Sequence, residues 1–108
     1  MGITKSDNFT SKQNELAVLA KALGHPARVA IIEYLSTQTD CFCGSIVDAL
    51  PLAQATVSQH LKELKNAGLI QGNIEGNSIC YCLNPEKWKK FKSMLEPIFT
   101  KSEATVCC

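Results

Sequence analysis

The sequence predicts a mainly helical domain with one β-hairpin, in the order α-α-α-α-β-β-α. Three observations predict this fold class. Apolar residues before position 68 recur at the three- and four-residue spacing of amphipathic helices. Between positions 69 and 83 they alternate as they do in strands, around a polar turn at 75–78. The helical spacing then returns after Asn84.

The first two predicted helices cover about residues 12–23 and 26–35. Gly24 suits the end of the first helix, because glycine adopts the backbone conformation that closes a helix. Proline favours the first position of a helix, so Pro26 begins the second. The apolar residues expected to face inward are Leu16, Leu19, Ala20, Leu23, Ile31, Ile32 and Leu35.

A short helix at about 44–50 is followed by a tight turn and a longer helix at about 54–67. Pro51 ends the short helix, since the residue before a proline is driven out of helical geometry. Gly68 closes the longer helix. Two such helices followed by a hairpin describe a winged helix-turn-helix, in which the longer helix is the recognition helix. Its inward face consists of Val57, Leu61 and Leu64.

The hairpin strands are predicted at 69–74 and 79–83, and a final helix follows them. Asn84 caps that helix and Pro85 takes its first position. Pro97 is predicted to bend or end the helix, because proline lacks the N–H that a helix interior needs. The apolar stripe of this helix consists of Trp88, Phe91, Leu95 and Ile98.

A chain of 108 residues suits one domain, which we place at 12–100 between a disordered lead, 1–11, and a flexible cysteine-containing tail, 101–108. No stretch approaches the roughly 20 apolar residues of a membrane span. The polar N-terminus lacks the apolar segment of a secretory signal, so we expect a cytoplasmic protein that does not enter membranes. No C-x-x-C motif, Gly-rich phosphate loop or nucleophile elbow is present, so we do not expect an enzyme.

The outer face of the recognition helix has the residue types of a DNA-reading surface. Gln59 can bond an adenine edge through two atoms, Ser58 can bond several bases, and Ala55 suits a thymine methyl group. Lys62 and Lys65 suit phosphate contacts, which supply affinity without sequence choice. The net charge is only +1, so local lysines must supply the attraction to DNA. The alternative is an ordinary solvated helix face.

The segment ATVSQHLKELKNAGLI, with LGHPARVAII before it and ICYCLN after it, resembles the ArsR/SmtB family of winged-helix metal-sensing repressors. The resemblance runs from about Gln13 to Leu95. It implies a homodimer that pairs through its first and last helices, binds palindromic double-stranded operator DNA without a cofactor, and dissociates when inducer binds. For His60, a structural hydrogen-bonded role is an alternative to DNA contact. The predicted DNA-binding residues are Gln54, Ala55, Thr56, Ser58, Gln59, His60, Lys62 and Lys65.

Cys41 and Cys43 lie at the start of the short helix and are the first candidates for metal binding. Six cysteines in 108 residues fall below the roughly 8–10% of a disulfide scaffold, and the cytosol keeps thiols reduced. Residues at i and i+2 point about 200° apart on a regular helix, so these two thiols share an ion only if the first turn is distorted. A helix N-terminus favours the thiolate, and thiolates select soft ions.

The arsenical-responsive ArsR branch of the family carries a Cys-x-Cys at this place, often with a third cysteine shortly after it. The resemblance therefore implies trivalent arsenic or antimony, as arsenite, antimonite or an organoarsenical, as the inducer at Cys41 and Cys43. This sequence has Ile46 where the third cysteine falls. The third place then goes to Cys107 or Cys108, to a solvent hydroxide, or to the carbon substituent of an organoarsenical.

Other interpretations of the cysteines stay open. A disulfide or persulfide at Cys41, Cys43 or the tail pair gives a thiol redox-sensing repressor of the same fold. A cadmium or lead sensor is a further alternative, although residues 1–40 lack the N-terminal cysteines that such family members add. A structural zinc site in an interaction module needs Cys80 and Cys82 as well, yet C-x-C is not the usual zinc spacing. For that strand pair, packing against the helices is the simpler interpretation.

Overall fold

The computed structural model describes residues 8–42, 46–75 and 78–104. The helices, strands and 3₁₀ turn follow one another in the order that the sequence predicts, so the mainly helical fold class with a β-hairpin is confirmed. The elements are helix α1 (Ser11–Leu23), helix α2 (Pro26–Ser36), a 3₁₀ helix (Ile46–Ala49), helix α3 (Gln54–Ala67), strands β1 (Ile70–Glu75) and β2 (Ser78–Leu83), and helix α4 (Pro85–Ala104).

The starts of α1 and α2 are fixed by side chains that accept hydrogen bonds from the first turn. At α1, Thr10 Oγ1 accepts from the Gln13 amide at 3.0 Å, and Gln13 Oε1 accepts from the Thr10 amide at 2.9 Å. This reciprocal pair is a capping box. At α2, His25 Nδ1 accepts from the Ala27 amide at 3.0 Å, and Pro26 takes the first helical position as predicted.

One apolar core lies between the four helices, the 3₁₀ helix and the hairpin. The inward residues predicted for the recognition helix are confirmed, since Val57, Leu61 and Leu64 of α3 are all buried. Burying a side chain of this size contributes about 1.5–3 kcal/mol, so this face fixes which side of α3 remains outside. The other buried apolar residues of this core are Leu19, Ala22, Ile31, Leu35, Ile46, Leu69, Ile70, Phe91 and Met94.

Gly68 ends α3 and turns the chain into the hairpin. Its φ of 87° lies in the left-handed region, and its amide donates to the Lys65 carbonyl at 3.0 Å. Any other residue there is strained because of this φ, and its Cβ would also displace the flexible Lys87 side chain, whose Cε would lie 2.8 Å away. One residue further, the Leu69 carbonyl accepts from the Trp88 indole at 2.9 Å, which ties α4 to this junction.

The hairpin strands pair antiparallel, with Ile70 opposite Leu83 at one end and Glu75 opposite Ser78 at the other. A third segment adds to β2, because Phe42 forms an isolated antiparallel bridge with Tyr81. The Phe42 amide donates to the Tyr81 carbonyl at 2.7 Å, and the Tyr81 amide donates back at 2.8 Å. The loop that follows α2 is therefore attached to β2 of the hairpin (residues 70–83), which we call the wing.

Three local predictions were wrong. Ala20, predicted to face inward on α1, is exposed, and Ala22 is buried instead. The helix expected at 44–50 is a single 3₁₀ turn, Ile46–Ala49, in the part of that stretch that the structure describes. Pro51 leaves no room for further turns. Helix α4 continues through Pro97 to Ala104, four residues into the predicted tail. Pro97 and Ser93 are both exposed, so water can bond the Ser93 carbonyl that proline leaves without an amide.

Helix α4 is held against α1 by charges as well as by packing. Lys90 Nζ lies 3.0 Å from one Glu15 carboxylate oxygen, and Lys87 Nζ lies 3.4 Å from the other. The hydrogen bond from Lys90 is the main reason that the pKa of Glu15 lies below its usual 4.5. In the described part of the chain, no helix has the length and apolar composition that crossing a bilayer requires.

Candidate nucleic-acid interface and thiol pair

The outer face of α3 is the exposed surface that the sequence predicts to read DNA. Its residues lie on a helix whose opposite side is packed into the core, so their backbone positions are fixed while their side chains reach solvent. Seven of the eight predicted DNA-binding residues are exposed on α3, namely Gln54, Ala55, Thr56, Ser58, Gln59, Lys62 and Lys65.

The first turn of α3 presents backbone donors to solvent. Ala53 occupies the cap position and has no side-chain oxygen, so no side chain accepts from the first amides of the helix. The Val57 amide is the first to be used, since it donates to the Ala53 carbonyl at 3.0 Å. Gln54, Ala55 and Thr56 therefore bring N–H groups as well as side chains to this surface, an arrangement that suits an anionic group.

Gln59 is held by a neighbour on its own helix. Its Nε2 donates to Oε2 of Glu63 at 3.0 Å, one turn further along α3. The bond holds the Gln59 amide along the helix surface rather than away from it. Contact with a base edge exchanges this exposed bond for bonds to the base, and the net cost of that exchange is small because both groups reach water.

Lys65 brings positive charge to the wing, whose own residues 70–83 include no lysine or arginine. Its side chain extends over Gly72 of β1, where a Cβ would lie 3.4 Å from the Lys65 ammonium. The cation therefore lies between the recognition helix and the hairpin.

His60 is buried, unlike the other seven predicted residues, and its surroundings favour the structural alternative over a DNA contact. Only 8% of its surface is exposed, and its ring packs on the His25 ring with 4.4 Å between centroids. Its Nδ1 accepts from Arg28 Nε at 3.0 Å, while Arg28 also donates to the Ala22 carbonyl at 3.1 Å. The structural role weighed in the sequence is the one that this geometry supports, because the imidazole ties α3 to α1 and α2.

The environment of His60 favours its neutral form. Burial is the main cause that lowers the pKa of His60 below its usual 6.5, and the nearby His25 and Arg28 charges lower it further. The hydrogen bond from Arg28 agrees with this, since a neutral imidazole has one nitrogen free to accept. We name this contact, formed by Arg28 and His60, the histidine junction.

Cys41 lies at the end of the loop after α2, and its sulfur is joined to the sulfur of Cys82 on β2 as a disulfide. Their Cα atoms lie 4.4 Å apart. The side-chain nitrogen Nδ2 of Asn73 on β1 lies 3.8 Å from the Cys41 sulfur. Cys43, Cys107 and Cys108, the other predicted ligands, lie outside the described residues, so the structure describes only Cys41 of the predicted metal set. We name the contact of Cys41 with Cys82 the cysteine junction.

Cys80 lies two residues before Cys82 on the same strand, but its surroundings differ. It is 1% exposed and is itself disulfide-bonded, whereas Cys41 and Cys82 are half-buried. The cysteine junction borders an open groove of about 460 Å³. Across residues 8–42, 46–75 and 78–104, no three His, Cys, Asp or Glu side chains are grouped so as to hold a metal ion.

Sequence reasoning gave Cys82 a role only in the alternative zinc site. The signal that points to its partner is the pairing of the loop after α2 with β2, which no local pattern contains. Phe42 is a single bridge residue rather than part of a strand with its own alternation. The Phe42 ring also packs edge-on against Tyr34 of α2, with 5.0 Å between centroids, and this long-range contact fixes where the loop meets the wing.

Comparison with known proteins gives a consistent family. Residues 25–71 match the family model described as bacterial regulatory protein, arsR family. The arsenical resistance operon repressor of Staphylococcus xylosus is 30% identical over 93 residues, which cover 86% of this chain and 88% of that protein. The transcriptional repressor SmtB of Mycobacterium tuberculosis H37Rv is 43% identical over 65 residues, which are 60% of this chain and 47% of that protein. The chain thus spans about half the length of that relative.

A solved structure of an ArsR-like transcriptional regulator from Rhodococcus sp. RHA1 has the same fold, with a TM-score of 0.72. The match covers 88% of this chain and 89% of that one at 24% sequence identity. The relatives are regulators rather than enzymes, in agreement with the sequence prediction. From the matched segment, the relative at 30% identity and the shared fold, the chain belongs to the ArsR family of bacterial regulatory proteins.

Proposed function

We propose that the protein is a cytoplasmic transcriptional repressor that binds double-stranded operator DNA as a homodimer. Trivalent arsenic or antimony releases it by binding cysteine thiolates at Cys41 and Cys43. The observation that carries the DNA-binding part is the division of α3 into a buried apolar face and an exposed polar face. A helix placed in this way can enter a major groove without disturbing the core.

The residues on the exposed face of α3 are proposed to make two kinds of contact, to base edges and to phosphates. Gln54, Ser58 and Gln59 have the donors and acceptors that base edges need. Lys62 and Lys65 supply phosphate contacts, and the uncapped first turn of α3 supplies a further phosphate site. Ala55 and Thr56 complete the proposed contact surface through their methyl groups and, for Thr56, a hydroxyl.

The proposed dimer pairs through α1 and α4. Val18 on α1 and Ile98 and Phe99 on α4 support this arrangement, because they are large apolar residues that are more than half exposed in one chain. Exposed apolar residues on two helices that already pack together form a surface that a second chain can cover. A two-fold dimer then presents two copies of α3 to the two halves of a palindromic operator.

The thiol part of the proposal rests on the position of Cys41 relative to α3. The chain from Cys41 leads into the 3₁₀ helix, whose Ile46 is buried in the same core as Val57 and Leu61 of α3. A change at Cys41 therefore has a short route to the recognition helix. The relative from Staphylococcus xylosus, named as an arsenical resistance operon repressor, supports arsenic as the soft ligand.

The proposed inducer is arsenite, antimonite or an organoarsenical, and the DNA-bound state needs no cofactor. Cys41 and Cys43 are the proposed thiolate ligands, and Cys107 and Cys108 of the tail are further proposed donors. Trivalent arsenic prefers sulfur ligands because it is soft and thiolates are the softest side chains available. A reducing cytosol keeps cysteines as thiols, from which the thiolate ligands form.

The DNA-binding part is tested by fluorescence anisotropy with a duplex that the protein selects from a random-sequence pool. Gln59→Ala is expected to lose about 1–3 kcal/mol of discrimination between the selected and a scrambled duplex. Lys62→Ala is the matched control on the same face, and it is expected to weaken both duplexes alike and to reduce the salt dependence. Unchanged discrimination in Gln59→Ala, with weakened discrimination in Lys62→Ala, would reverse the assignment.

The inducer part is tested by adding arsenite to the complex of reduced protein and selected duplex. Release is expected with wild type and is expected to need at least tenfold more arsenite with Cys41→Ser. Cadmium in parallel separates a metalloid sensor from the cadmium or lead alternative. Release of Cys41→Ser at the wild-type arsenite concentration contradicts the proposal.

A second function, thiol redox sensing by the same repressor, is favoured by one observation, the disulfide between Cys41 and Cys82. In that case oxidation of the two thiols, rather than binding of arsenic, releases DNA. Treating the reduced complex with hydrogen peroxide, without arsenite, separates the two functions. Release by peroxide together with indifference to arsenite would replace the first function by the second.

A further inference from the structure

We infer that Cys82, on strand β2 of the wing, is the sulfur ligand that binds trivalent arsenic together with Cys41. The inducer then ties the loop after α2 to the wing. This inference rests on the proposed function, because it names a ligand of the same arsenic site. It assigns Cys82 a sensing role and accounts for a sulfur ligand that the residues around Ile46 do not supply.

The pairing of backbone segments fixes the two sulfurs opposite each other. Phe42 and Tyr81 exchange both of their backbone hydrogen bonds, at 2.7 and 2.8 Å, which makes them a hydrogen-bonded pair of an antiparallel ladder. The next pair along such a ladder is a non-hydrogen-bonded pair, in which Cα atoms approach to about 4.5 Å and side chains are closest. Cys41 and Cys82 are that pair, with Cα atoms 4.4 Å apart.

The packing around Phe42 keeps this register in place whether or not the sulfurs are bonded. Its ring contacts Tyr34 edge-on, and Phe42 and Tyr81 both pack against the buried core. The two backbone hydrogen bonds do not involve the thiols. Reduction of the disulfide is therefore expected to leave two thiols facing each other on neighbouring segments, which is the arrangement that chelates one atom.

The chemistry of capture needs the dithiol form. Two molecules of a small cytosolic thiol reduce the Cys41–Cys82 disulfide by two electrons, transfer their two protons to the cysteine sulfurs, and are themselves joined as a disulfide. Arsenous acid then condenses with the two thiols. Each thiol proton leaves with one arsenic hydroxyl group as water, and each As–O bond is replaced by an As–S bond. Arsenic stays trivalent, its third hydroxyl remains for a further ligand, and two water molecules are released.

A ligand of this size has access to the pair. Cys41 and Cys82 both line the open groove of about 460 Å³, next to the polar side chains of Gln38, Asp40 and Gln71. Cys80, on the same strand face, is 1% exposed and does not line that groove. Arsenous acid can therefore reach the cysteine junction directly from solvent, whereas Cys80 is shielded from it.

The location of the site gives it control over both surfaces that approach DNA. Cys82 lies on the wing strand that pairs with β1, over which Lys65 of α3 extends. Cys41 lies on the segment that leads to the 3₁₀ helix beneath α3. An arsenic atom between the two sulfurs separates them by two As–S bonds instead of one S–S bond, so it changes the distance between the loop and the wing.

The test uses reduced, full-length protein loaded with arsenite, and it counts sulfur neighbours by arsenic X-ray absorption. Cys82→Ser is expected to show one sulfur neighbour fewer than wild type and to need at least tenfold more arsenite to release the selected duplex. Cys82→Ala is a second variant, in case serine disturbs the strand. Cys80→Ser is the matched control, and it is expected to keep the wild-type sulfur count. Binding of each variant to the duplex without arsenite shows that it is folded.

The outcomes separate this inference from the proposed function. A wild-type sulfur count and wild-type release in Cys82→Ser and Cys82→Ala, with loss of both in Cys41→Ser, overturns the role of Cys82 and leaves the proposed function standing. Loss of a sulfur neighbour in Cys80→Ser but not in Cys82→Ser also overturns it. Failure of arsenite to release wild type overturns the proposed function itself.

Discussion

Two junctions connect α3 and the hairpin, the elements proposed to face DNA, to the rest of the domain, and they differ in what their chemistry allows. The histidine junction joins α3 to α1 and α2 through a hydrogen bond of 3.0 Å between Arg28 and His60. The cysteine junction joins the loop after α2 to the wing through the sulfurs of Cys41 and Cys82. The first has no sulfur, while the second uses two sulfur atoms that can be oxidised to a disulfide, reduced to thiols or bound by a soft ion.

The difference shows how a small domain can keep one contact rigid while another contact remains open to a ligand. His60 is buried, neutral and bonded, so α3 keeps its orientation on the core. Cys41 and Cys82 are half-buried beside an open groove, so a ligand reaches them without unfolding the core. We expect substitutions at the histidine junction to lower stability and leave induction by arsenite intact. In reduced protein, we expect substitutions at the cysteine junction to impair induction and leave stability nearly unchanged.

Oxidation is expected to give the largest stability change of the three predictions. The disulfide joins residues 41 positions apart, and closing a loop of that length stabilises a protein by about 2–4 kcal/mol. Urea unfolding of oxidised and reduced wild type measures the difference. Cys82→Ser is the matched variant, and we expect it to lose the share of the stabilisation that the Cys41–Cys82 disulfide supplies and to keep the share supplied by the disulfide of Cys80. Equal stabilisation of wild type and Cys82→Ser by oxidation would show that another pair of cysteines is responsible.

Breaking the histidine junction is expected to have the next largest effect. Arg28→Met removes the donor to His60 and leaves a buried acceptor unpaired, which costs about 1–3 kcal/mol of the free energy of unfolding. Urea unfolding of the reduced protein measures this cost. The arsenite concentration that releases the variant from DNA is expected to equal that of wild type. Lys92→Met, at an exposed position of α4, is the control, and we expect it to change the free energy of unfolding by less than about 0.5 kcal/mol. A loss of arsenite response in Arg28→Met would show that the histidine junction is also needed for induction.

The smallest expected effect is a pH dependence of stability from His60. The pKa of His60 is lowered in the folded protein, so below about 6.5 the unfolded chain binds a proton that the folded chain does not. Its contribution to stability is therefore full above that pH and falls as the pH drops toward the lowered pKa. Glu15 contributes to stability in a different pH range. Because its pKa is lowered from 4.5 in the folded protein, its contribution is lost only as the pH falls below about 4.5.

Urea midpoints of wild type and His60→Gln, measured from about pH 7.5 to about pH 5.5, isolate the histidine contribution. We expect the wild-type midpoint to fall more steeply over this range than the midpoint of the variant. Parallel curves for the two proteins would mean that the histidine junction does not titrate.

The elements of the fold were predictable because their signals are local. The capping role of Asn84 is confirmed by its Oδ1, which accepts from the Lys87 amide at 3.4 Å, and Gly68 takes the left-handed position expected of a closing glycine. The exposed set on α3 followed from helical spacing alone. Only His60 departed from it, because spacing does not show that Arg28, 32 residues earlier in the chain, lies within hydrogen-bonding distance.

The parts that were not predictable depend on tertiary contacts. Pro97 continues α4 because its lost hydrogen bond lies on an exposed side, which the sequence pattern does not encode. The contact of Cys41 with Cys82 depends on a single bridge at Phe42, which no alternating pattern announces. Sequence spacing therefore paired Cys41 with its neighbour Cys43, whereas the fold adds a partner 41 residues away.

The most direct test of the central claim, that a thiol-bound inducer at Cys41 is coupled to the DNA surface of α3, is a linkage measurement on reduced wild type. Operator affinity is measured with and without saturating arsenite, and arsenite affinity is measured with and without DNA. We predict that the two ratios are equal, as reciprocity requires, and lie between about fivefold and 150-fold. An operator affinity that arsenite leaves unchanged, while arsenic is bound to Cys41, would contradict the claim.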